Sequence, residues 1–408
     1  MNDSRRAWLF FAVSTLFSMA ASSVHPVTPT IIQQRGFGDY MFGVALAAMM
    51  TANFLFSPFW GQLVNYISSR RVILIGCLGY AIGQAGFGLA GSEGMMVAAR
   101  MFAGIFTGGI FTATLTYVVN TAPPEKRSNF LTVSATIQTV ASAFGYFVGG
   151  MLGEIGVNVA VVMQVSVLVV SGVLFYLVCC DDAVTEVREI KVGQLFRKAN
   201  PVSAFLAGSR IMTPLLVSIF AVAALANLGN SGFDQSFNYY LKAQLGLSSG
   251  YNGAIKALIG IVSLVANSSI AMWLIKKTDI RRSIIHVYLL CSIAMLGVVL
   301  LNATVPFVAA NVIYFGFFAV SVPLTQSLAA DRARGADSNL TMGFYNGLKS
   351  LGGIFGALAA GLLYTVNPKW PFVLGLAAFL TATVVVWYHY SLSKQEDVRT
   401  AKGKSVTA

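Results

Sequence analysis

Four charged side chains lie in the interior of long apolar runs of this 408-residue sequence: Arg100, Asp234, Lys256 and Lys349. Asp234 stands in the stretch GNSGFDQSFNYY, directly after the apolar run PLLVSIFAVAALANL. A charge inside hydrocarbon is costly, so such residues are retained where they pair with another charge, face water, or move ions and protons. These four residues are therefore candidates for binding a charged solute or for relaying protons.

The sequence lacks the residue patterns of bond-making chemistry. No nucleophile and base are arranged together, no group of His, Asp or Glu has metal-ligand spacing, and no glycine-rich phosphate loop with its lysine occurs. We therefore expect no catalytic residues, no metal and no cofactor, and the chain is predicted not to be an enzyme or an ATP-driven pump.

Composition places the chain in a membrane. Hydrophobic residues make up 56% of the sequence, charged residues 10%, and the mean hydropathy is +0.72. Twelve apolar runs are long enough to cross about 30 Å of hydrocarbon as helices. The sequence predicts an all-α membrane protein of twelve transmembrane helices. The runs cover residues 7–32, 40–66, 72–91, 95–120, 129–153, 157–180, 211–243, 250–275, 283–303, 306–330, 339–365 and 370–391.

The basic residues are distributed unequally between the two faces of the predicted bundle. The termini and alternate loops carry 21 of the 27 Lys and Arg residues, and this bias marks the cytoplasmic side. Both termini are thus predicted to be cytoplasmic. The net charge of +12 is explained by this bias and by the lipid headgroups nearby, so the lipid bilayer is an expected partner and nucleic acid is not.

An internal repeat has a spacing near 211 residues. SPFWGQLVNYISSRRVIL, from Ser57, aligns with SSIAMWLIKKTDIRRSII, from Ser268. SNFLTVSATIQTVASAFGYFVGG, from Ser128, aligns with SNLTMGFYNGLKSLGGIFGALAAG, from Ser338. Duplicated helix bundles are the usual plan of secondary transporters. The repeat predicts a six-helix bundle at 1–180, a cytoplasmic linker at 181–210 and a second six-helix bundle with a short tail at 211–408, related by pseudo-two-fold symmetry.

The loop after the second span resembles the signature loop of the major facilitator superfamily. That loop has a glycine, an acid four residues later and paired basic residues; here they are Gly61, Asn65 and Arg70-Arg71. The resemblance implies a cytoplasmic gate, although Asn65 lacks the charge of the family's acid. The repeat places the matching basic pair of the second half at Arg281-Arg282.

Two further stretches resemble motifs of the twelve-span drug:proton antiporters in this family. RMFAGIFTGG contains Arg100, and the family's arginine at this place is implicated in proton coupling. GYFVGG is similar to the end of the fifth-span antiporter motif, with Tyr146 in place of its proline. The small residues also favour close helix packing whatever is transported. The helix-packing glycines are Gly104, Gly108, Gly145, Gly149, Gly150, Gly356 and Gly361.

Helical rise places Asp234 and Lys256 at similar depths in the seventh and eighth spans. Two interpretations stay open: a fixed pair that ties two helices together, or charges that exchange partners with substrate or proton. Gly229 and Gly232 suggest a seventh helix loosened where it lines water. The predicted proton-coupling or cavity residues are Arg100, Asp234, Lys256, Lys349, its repeat counterpart Gln138, Asn230, Gln235, Asn346, Phe233, Tyr345 and His25.

The resemblance implies a proton-coupled secondary transporter that works by alternating access and exports small amphiphilic organic compounds or drugs. The intramembrane charges, three positive and one negative, favour an alternative: transport of an organic anion or another small metabolite. A non-transporting membrane sensor is a remote alternative. The expected partners are a small-molecule substrate, protons and lipid, with the protein acting as a monomer in the bacterial inner membrane.

Overall fold

The structure is a computed structural model that describes residues 3–64, 66–123, 127–182, 212–332 and 338–406. Every regular element in these ranges is a helix. Eleven helical segments are long and apolar enough to cross a membrane, and the 29-residue helix Arg127–Ile155 is a twelfth long helix. The predicted all-α class is confirmed, and the chain is a multi-pass membrane protein.

The first compact unit comprises residues Met1–Pro201 and Gln235–Ile261. Its helices are α1 Asp3–Ser23, α2 Thr28–Gln34, α3 Met41–Leu63, α4 Ser69–Leu89, α5 Glu93–Thr121, α6 Arg127–Ile155 and α7 Val157–Val178, with a 3₁₀ turn at His25–Val27. Helices α4 and α5 lie against each other, α3 packs on α5, α7 packs on α4, and α1 packs on α6 and α7. Aromatic and small side chains such as Phe10, Cys77 and Ala103 fill the core.

The second unit comprises residues Val202–Asp234 and Val262–Ala408. A π-helical turn at Asn267–Ala271 interrupts the eighth predicted span. In this unit α11 (Ile280–Leu300) packs on α12 (Thr304–Arg332) and on α14 (Trp370–Val406), as α4 packs on α5 and α7 in the first unit. The remaining helices are α8 Pro214–Ala243 and α9 Ser249–Ala266, each shared between the units, then α10 Met272–Lys277, α11 Ile280–Leu300, α12 Thr304–Arg332, α13 Ser338–Val366 and α14 Trp370–Val406.

The element boundaries differ from the sequence prediction at two places. The first span is not one continuous helix, because α1 ends at Ser23 and is followed by the 3₁₀ turn and α2. Pro26 lies at the start of the 3₁₀ turn and Pro29 at the start of α2. Backbone N–H groups at the start of a helix have no partner within it, so the missing N–H of a proline costs no hydrogen bond there. The last helix continues to Val406, well past the predicted limit of the apolar run. The predicted linker lies outside the described residues except for Asp181 and Asp182.

Candidate functional site

Arg100 lies in α5, seven residues after Glu93 and so about 10 Å along the helix. Its side chain is only 5% exposed. The guanidinium carbon lies 3.7 Å from the centroid of the Phe87 ring, and Nη1 donates to Gln84 Oε1 at 3.5 Å and contacts Met49 Sδ at 3.8 Å. Nε has no hydrogen-bond partner, and among the described residues no carboxylate pairs with this cation. Arg100 is thus a buried charge held by a ring face and one weak hydrogen bond.

A chain of buried polar side chains continues from Arg100 through the first unit. Gln84 Nε2 donates to the Tyr80 hydroxyl at 2.8 Å, which donates to the Ala21 carbonyl at 3.2 Å. Gln164 of α7 donates to the Ala20 carbonyl at 2.9 Å. Sequence reasoning missed these residues, although an amide within each of two apolar runs is a signal that could have found them.

Lys256 and His25 lie in a second polar cluster of the first unit. Lys256 is 6% exposed, and its ammonium lies 5.3 Å from the Phe237 ring centroid and 5.9 Å from that of Tyr146. His25 stacks on Tyr146 with centroids 5.4 Å apart, and its carbonyl accepts a hydrogen bond from Asn238 at 2.9 Å. The electron-rich faces of aromatic rings attract a cation such as the Lys256 ammonium. The structure thus brings two predicted site residues, His25 and Lys256, to one aromatic side chain.

Gln138 lines a recess of about 340 Å³ within the first unit. The recess lies among α1, α5, α6 and α7, and its walls are mostly apolar, including the rings of Phe17, Phe111 and Phe175. Gln138 is exposed there, and the buried hydroxyl of Ser134 has no hydrogen-bond partner. An apolar cleft with a few unsatisfied polar groups is the usual form of a small-molecule site, and this volume suits a small organic compound.

Lys349 lines a much smaller recess within the second unit. This recess holds about 10 Å³, room for about one water molecule, and it is lined by Tyr345, Thr325 and Asn227. Lys349 is half-buried, and among the described residues its ammonium makes no hydrogen bond or ion pair. Asn346, on the same helix, is exposed.

The two recesses use equivalent positions of the internal repeat. Three helices of the repeat contribute to both recesses, α1, α5 and α6 in the first unit and α8, α12 and α13 in the second; α7 adds Phe175 to the first recess and α11 adds Tyr288 to the second. Ser134 of the first recess corresponds to a much larger tyrosine in the second. The equivalent pairs, each 211 residues apart, are Phe111 and Val322, Thr114 and Thr325, Ser134 and Tyr345, and Gln138 and Lys349.

The residues around Asp234 pack more tightly than the sequence suggested. Helix α8 continues without interruption through Gly229 and Gly232, so the expectation of a loosened helix is wrong. The two glycines instead allow neighbouring helices to approach closely. A Cβ at Gly232 would meet the Gly356 carbonyl, and one at Gly229 would meet the Phe379 ring. Asp234 itself is half-buried.

Other polar and aromatic candidates of α8 have identifiable surroundings. Asn230 accepts a hydrogen bond from the Tyr314 hydroxyl at 3.1 Å. Phe233 is fully buried, with its ring centroid 4.3 Å from that of Tyr314 and 5.4 Å from that of Phe372. Gln235 is half-buried at the start of the segment assigned to the first unit. Phe233 therefore belongs to an aromatic core, whereas Asn230 fixes a buried hydroxyl.

The motif glycines lie where neighbouring backbone leaves no space for a side chain. A Cβ at Gly145 would meet the Met19 carbonyl, and one at Gly149 would meet the Ser23 carbonyl of α1. A Cβ at each of the other motif glycines would also meet a neighbouring residue: Met49 at Gly104, Ser57 at Gly108, Ser249 at Gly150 and Leu228 at Gly356. Gly361 is buried, and Gly61 meets only ordinary contact with Thr112.

In each half, the first arginine of the signature-loop pair forms an ion pair with an acid near the C-terminal end of that half. Arg70 binds Asp181 at 2.8 Å in the first unit, and Arg281, 211 residues later, binds Asp397 at 2.7 Å in the second. Arg71 and Arg282 are exposed. Asn65 lies outside the described residues, so its predicted role in the gate stays a prediction. The sequence did not indicate these acid partners because they follow the loop by more than 100 residues.

Asp182 supplies the N-terminal cap that α4 lacks locally. Its carboxylate accepts from the Ser69 backbone N–H at 2.7 Å and from the Ser69 hydroxyl at 2.6 Å, whereas the Ser68 side chain makes no capping bond. At the equivalent repeat position, Asp279 caps α11 directly by accepting from the Arg281 N–H at 2.9 Å.

We expect Asp182→Ala to lower the free energy of unfolding by about 1–2 kcal/mol, the usual cost of losing a cap. Asp181→Ala is the matched control, because it removes only a partly exposed ion pair and should cost less than about 1 kcal/mol. Thermal unfolding of the purified variants measures both. Equal losses would show that Asp182 does not act as the cap of α4.

Comparison with known proteins agrees with this arrangement. The Major Facilitator Superfamily family model matches residues 10–333 and 303–407. Multidrug resistance protein 1 of Bacillus subtilis (strain 168) is 22% identical over 373 residues, which cover 89% of each chain. Quinolone resistance protein NorA of Staphylococcus aureus (strain MRSA252) is 22% identical over 403 residues, covering 96% of this chain and 98% of NorA.

A solved structure shares the fold. The crystal structure of a bacterial homolog of the human lysosomal transporter Spinster superposes with a TM-score of 0.76 at 12% identity, covering 95% of this chain and 97% of that one. The family match spans nearly the whole chain, and the repeated helices, the signature loops and the buried charges described above accord with it. The chain therefore belongs to the Major Facilitator Superfamily of membrane transporters.

Proposed function

We propose that this transporter is proton-coupled and exports small amphiphilic organic compounds by alternating access. The observation that carries the proposal is the 340 Å³ recess of the first unit, whose apolar and aromatic walls carry few polar groups. Such a surface binds solutes by area and shape rather than by a dense set of hydrogen bonds, which suits chemically varied substrates. The named relatives, multidrug and quinolone resistance proteins, support export of this kind.

Proton coupling is supported by the charges buried in the helices. Arg100 has no carboxylate partner among the described residues, so its neighbourhood is able to respond to a proton or a charged solute. Asp234 is the carboxylate that we propose to take up and release the transported proton, because it is the acid deepest within the predicted spans. Whether it also pairs with Lys256 stays a prediction.

Purified protein in vesicles with an imposed pH gradient tests the proposal. We expect gradient-driven movement of a lipophilic fluorescent dye such as ethidium, with loss of that movement when a protonophore collapses the gradient. Protein-free vesicles are the control for leakage. Movement that ignores the gradient would contradict proton coupling, and the absence of movement for a broad panel of solutes would favour the alternative of a non-transporting sensor.

We also propose that the protein lies in the bacterial inner membrane as a monomer with both termini cytoplasmic. The proposal rests on the 21 basic residues assigned to one face. A reporter fused after Ala408 that is active only in the cytoplasm should be active, whereas one inserted in the loop near Gly246 should not. Light scattering of the purified protein gives the oligomeric state.

Transport of an organic anion is the second candidate, and Lys349 is the observation that favours it. Lys349 lines a recess that Tyr345 and Thr325 also line, and its ammonium has no partner among the described residues. A half-buried cation is a suitable receptor for a carboxylate or a sulfonate. This candidate concerns the solute and leaves the alternating-access mechanism unchanged.

If Lys349 receives a negative charge, Lys349→Gln should weaken binding of anionic solutes about tenfold or more, the loss expected for one charge-assisted hydrogen bond, and leave neutral analogues nearly unchanged. Lys277→Gln, an exposed lysine of the basic loop, is the matched control. Competition binding at low and high salt measures the effect, and salt should change it little at a half-buried site. Equal losses for anionic and neutral solutes would refute the anion role.

A further inference from the structure

The last turn of α6 is bound to the first turn of α9 by a single carboxylate. Glu154 accepts a hydrogen bond from the Gly250 backbone N–H at 2.6 Å. This bond, together with the positive charge of Lys242 at the end of α8, lowers the pKa of the Glu154 carboxyl. All these residues belong to the first unit, at the end that the basic loops place outside the cell, here called the outer end.

The contact is close-packed around this carboxylate. A Cβ at Gly150 would meet the Ser249 carbonyl, one at Gly153 would meet the Ser249 side chain, and one at Gly250 would meet Glu154 itself. Ser249 is 5% exposed, whereas Glu154 is exposed. The small residues therefore form a closely packed contact between α6 and α9. The ionised Glu154 carboxylate lies at its edge and remains accessible to protons from the outer side.

We propose that Glu154 is an acid-sensitive latch, whose ionised carboxylate holds the outer ends of α6 and α9 together and whose protonation from outside releases them. The inference rests on the proposed alternating access, in which the outer ends must separate once in each cycle. An ionised carboxylate accepts the Gly250 hydrogen bond strongly, while a protonated one accepts it weakly and loses its attraction to Lys242. The closed state therefore disfavours the proton, and acidification shifts the population towards the open state.

The neighbouring acids of the outer end provide comparisons. Asp39 accepts from the Tyr239 hydroxyl at 2.5 Å and so is a second contact to the end of α8. Glu93 instead accepts from the Tyr40 hydroxyl at 2.5 Å and from the Gly38 N–H at 2.8 Å, both in the loop between α2 and α3, and the bond from Tyr40 raises the pKa of that hydroxyl. Glu93 is thus an acid of the same end that does not hold α9.

The latch is tested by spin-label distances in the full chain, purified in lipid nanodiscs without substrate or gradient. Labels at Met151→Cys of α6 and Tyr251→Cys of α9, both exposed, report separation of the outer ends after the four native cysteines are replaced. A free glutamate side chain has a pKa of about 4.3. We therefore expect the ratio of open to closed populations to rise about threefold between about pH 7 and pH 4.

Glu154→Gln should raise this ratio about tenfold already at neutral pH, the equivalent of one charge-assisted hydrogen bond, and remove most of the pH response. Glu93→Gln should keep the response, and Glu154→Asp should keep it in part, which also guards against loss of folding. A pH response that is absent from the parent protein or unchanged in Glu154→Gln overturns the latch. Because no transport is measured, failure of the latch is distinguishable from failure of the proposed function, which the vesicle experiment tests.

Discussion

Arg100→Ala is expected to abolish pH-gradient-driven accumulation of solute while leaving the protein folded. The guanidinium is buried against the Phe87 ring with a single 3.5 Å hydrogen bond to Gln84 and an unpartnered Nε. Its removal relieves the cost of a buried charge and breaks no ion pair that the described residues make. Accumulation driven by the pH gradient should fall to the level of protein-free vesicles, while thermal unfolding changes little.

Arg5→Ala is the matched control for this experiment, because Arg5 is an exposed arginine near the start of α1, outside the motifs and recesses described. Exchange of solute down its own gradient is also informative, since it requires alternation but no proton. We expect exchange to survive in Arg100→Ala if the arginine acts in coupling alone. Unchanged pH-driven accumulation in Arg100→Ala would remove Arg100 from the coupling mechanism.

Gly149→Val should produce the largest loss of stability of any single substitution considered. The first side-chain atom would lie within bonding distance of the Ser23 carbonyl, which belongs to the backbone of α1 and has no flexible end that can move aside. Overpacking typically costs about 1–3 kcal/mol, and a contact against backbone should reach or exceed the upper value. We expect a lower yield of monodisperse protein and a lower unfolding temperature.

Gly94→Ala is the matched control for the glycine experiment. Gly94 lies in the first turn of α5 with open space around it, so an added methyl group should stabilise the helix by about 0.5–1 kcal/mol. Fluorescence-detected size-exclusion chromatography after heating measures both variants. A Gly149→Val protein as stable as the parent would mean that α1 and α6 do not approach as closely as the structure places them.

The sequence alone was sufficient for the membrane class, the helix count and the family. A bilayer requires runs of about 20 apolar residues, so hydropathy marks each span without knowledge of its neighbours. The 211-residue repeat and the motifs around Arg100 and Gly149 are likewise local patterns. Arg100 could be predicted as a buried charge because hydrocarbon penalises any charge that function does not require.

Which groups meet was decided only by the tertiary structure. Asp181 and Asp182 follow the signature loop by more than 100 residues, and the Glu154 contact with α9 joins residues 96 positions apart. Sequence spacing gives the depth of a residue along its helix, but the rotation of the helix and its packing partner determine what the side chain touches. For the same reason Gly229 and Gly232, which suggested a loosened helix, are contact points of a continuous one, where the absence of a side chain allows close approach of neighbouring helices.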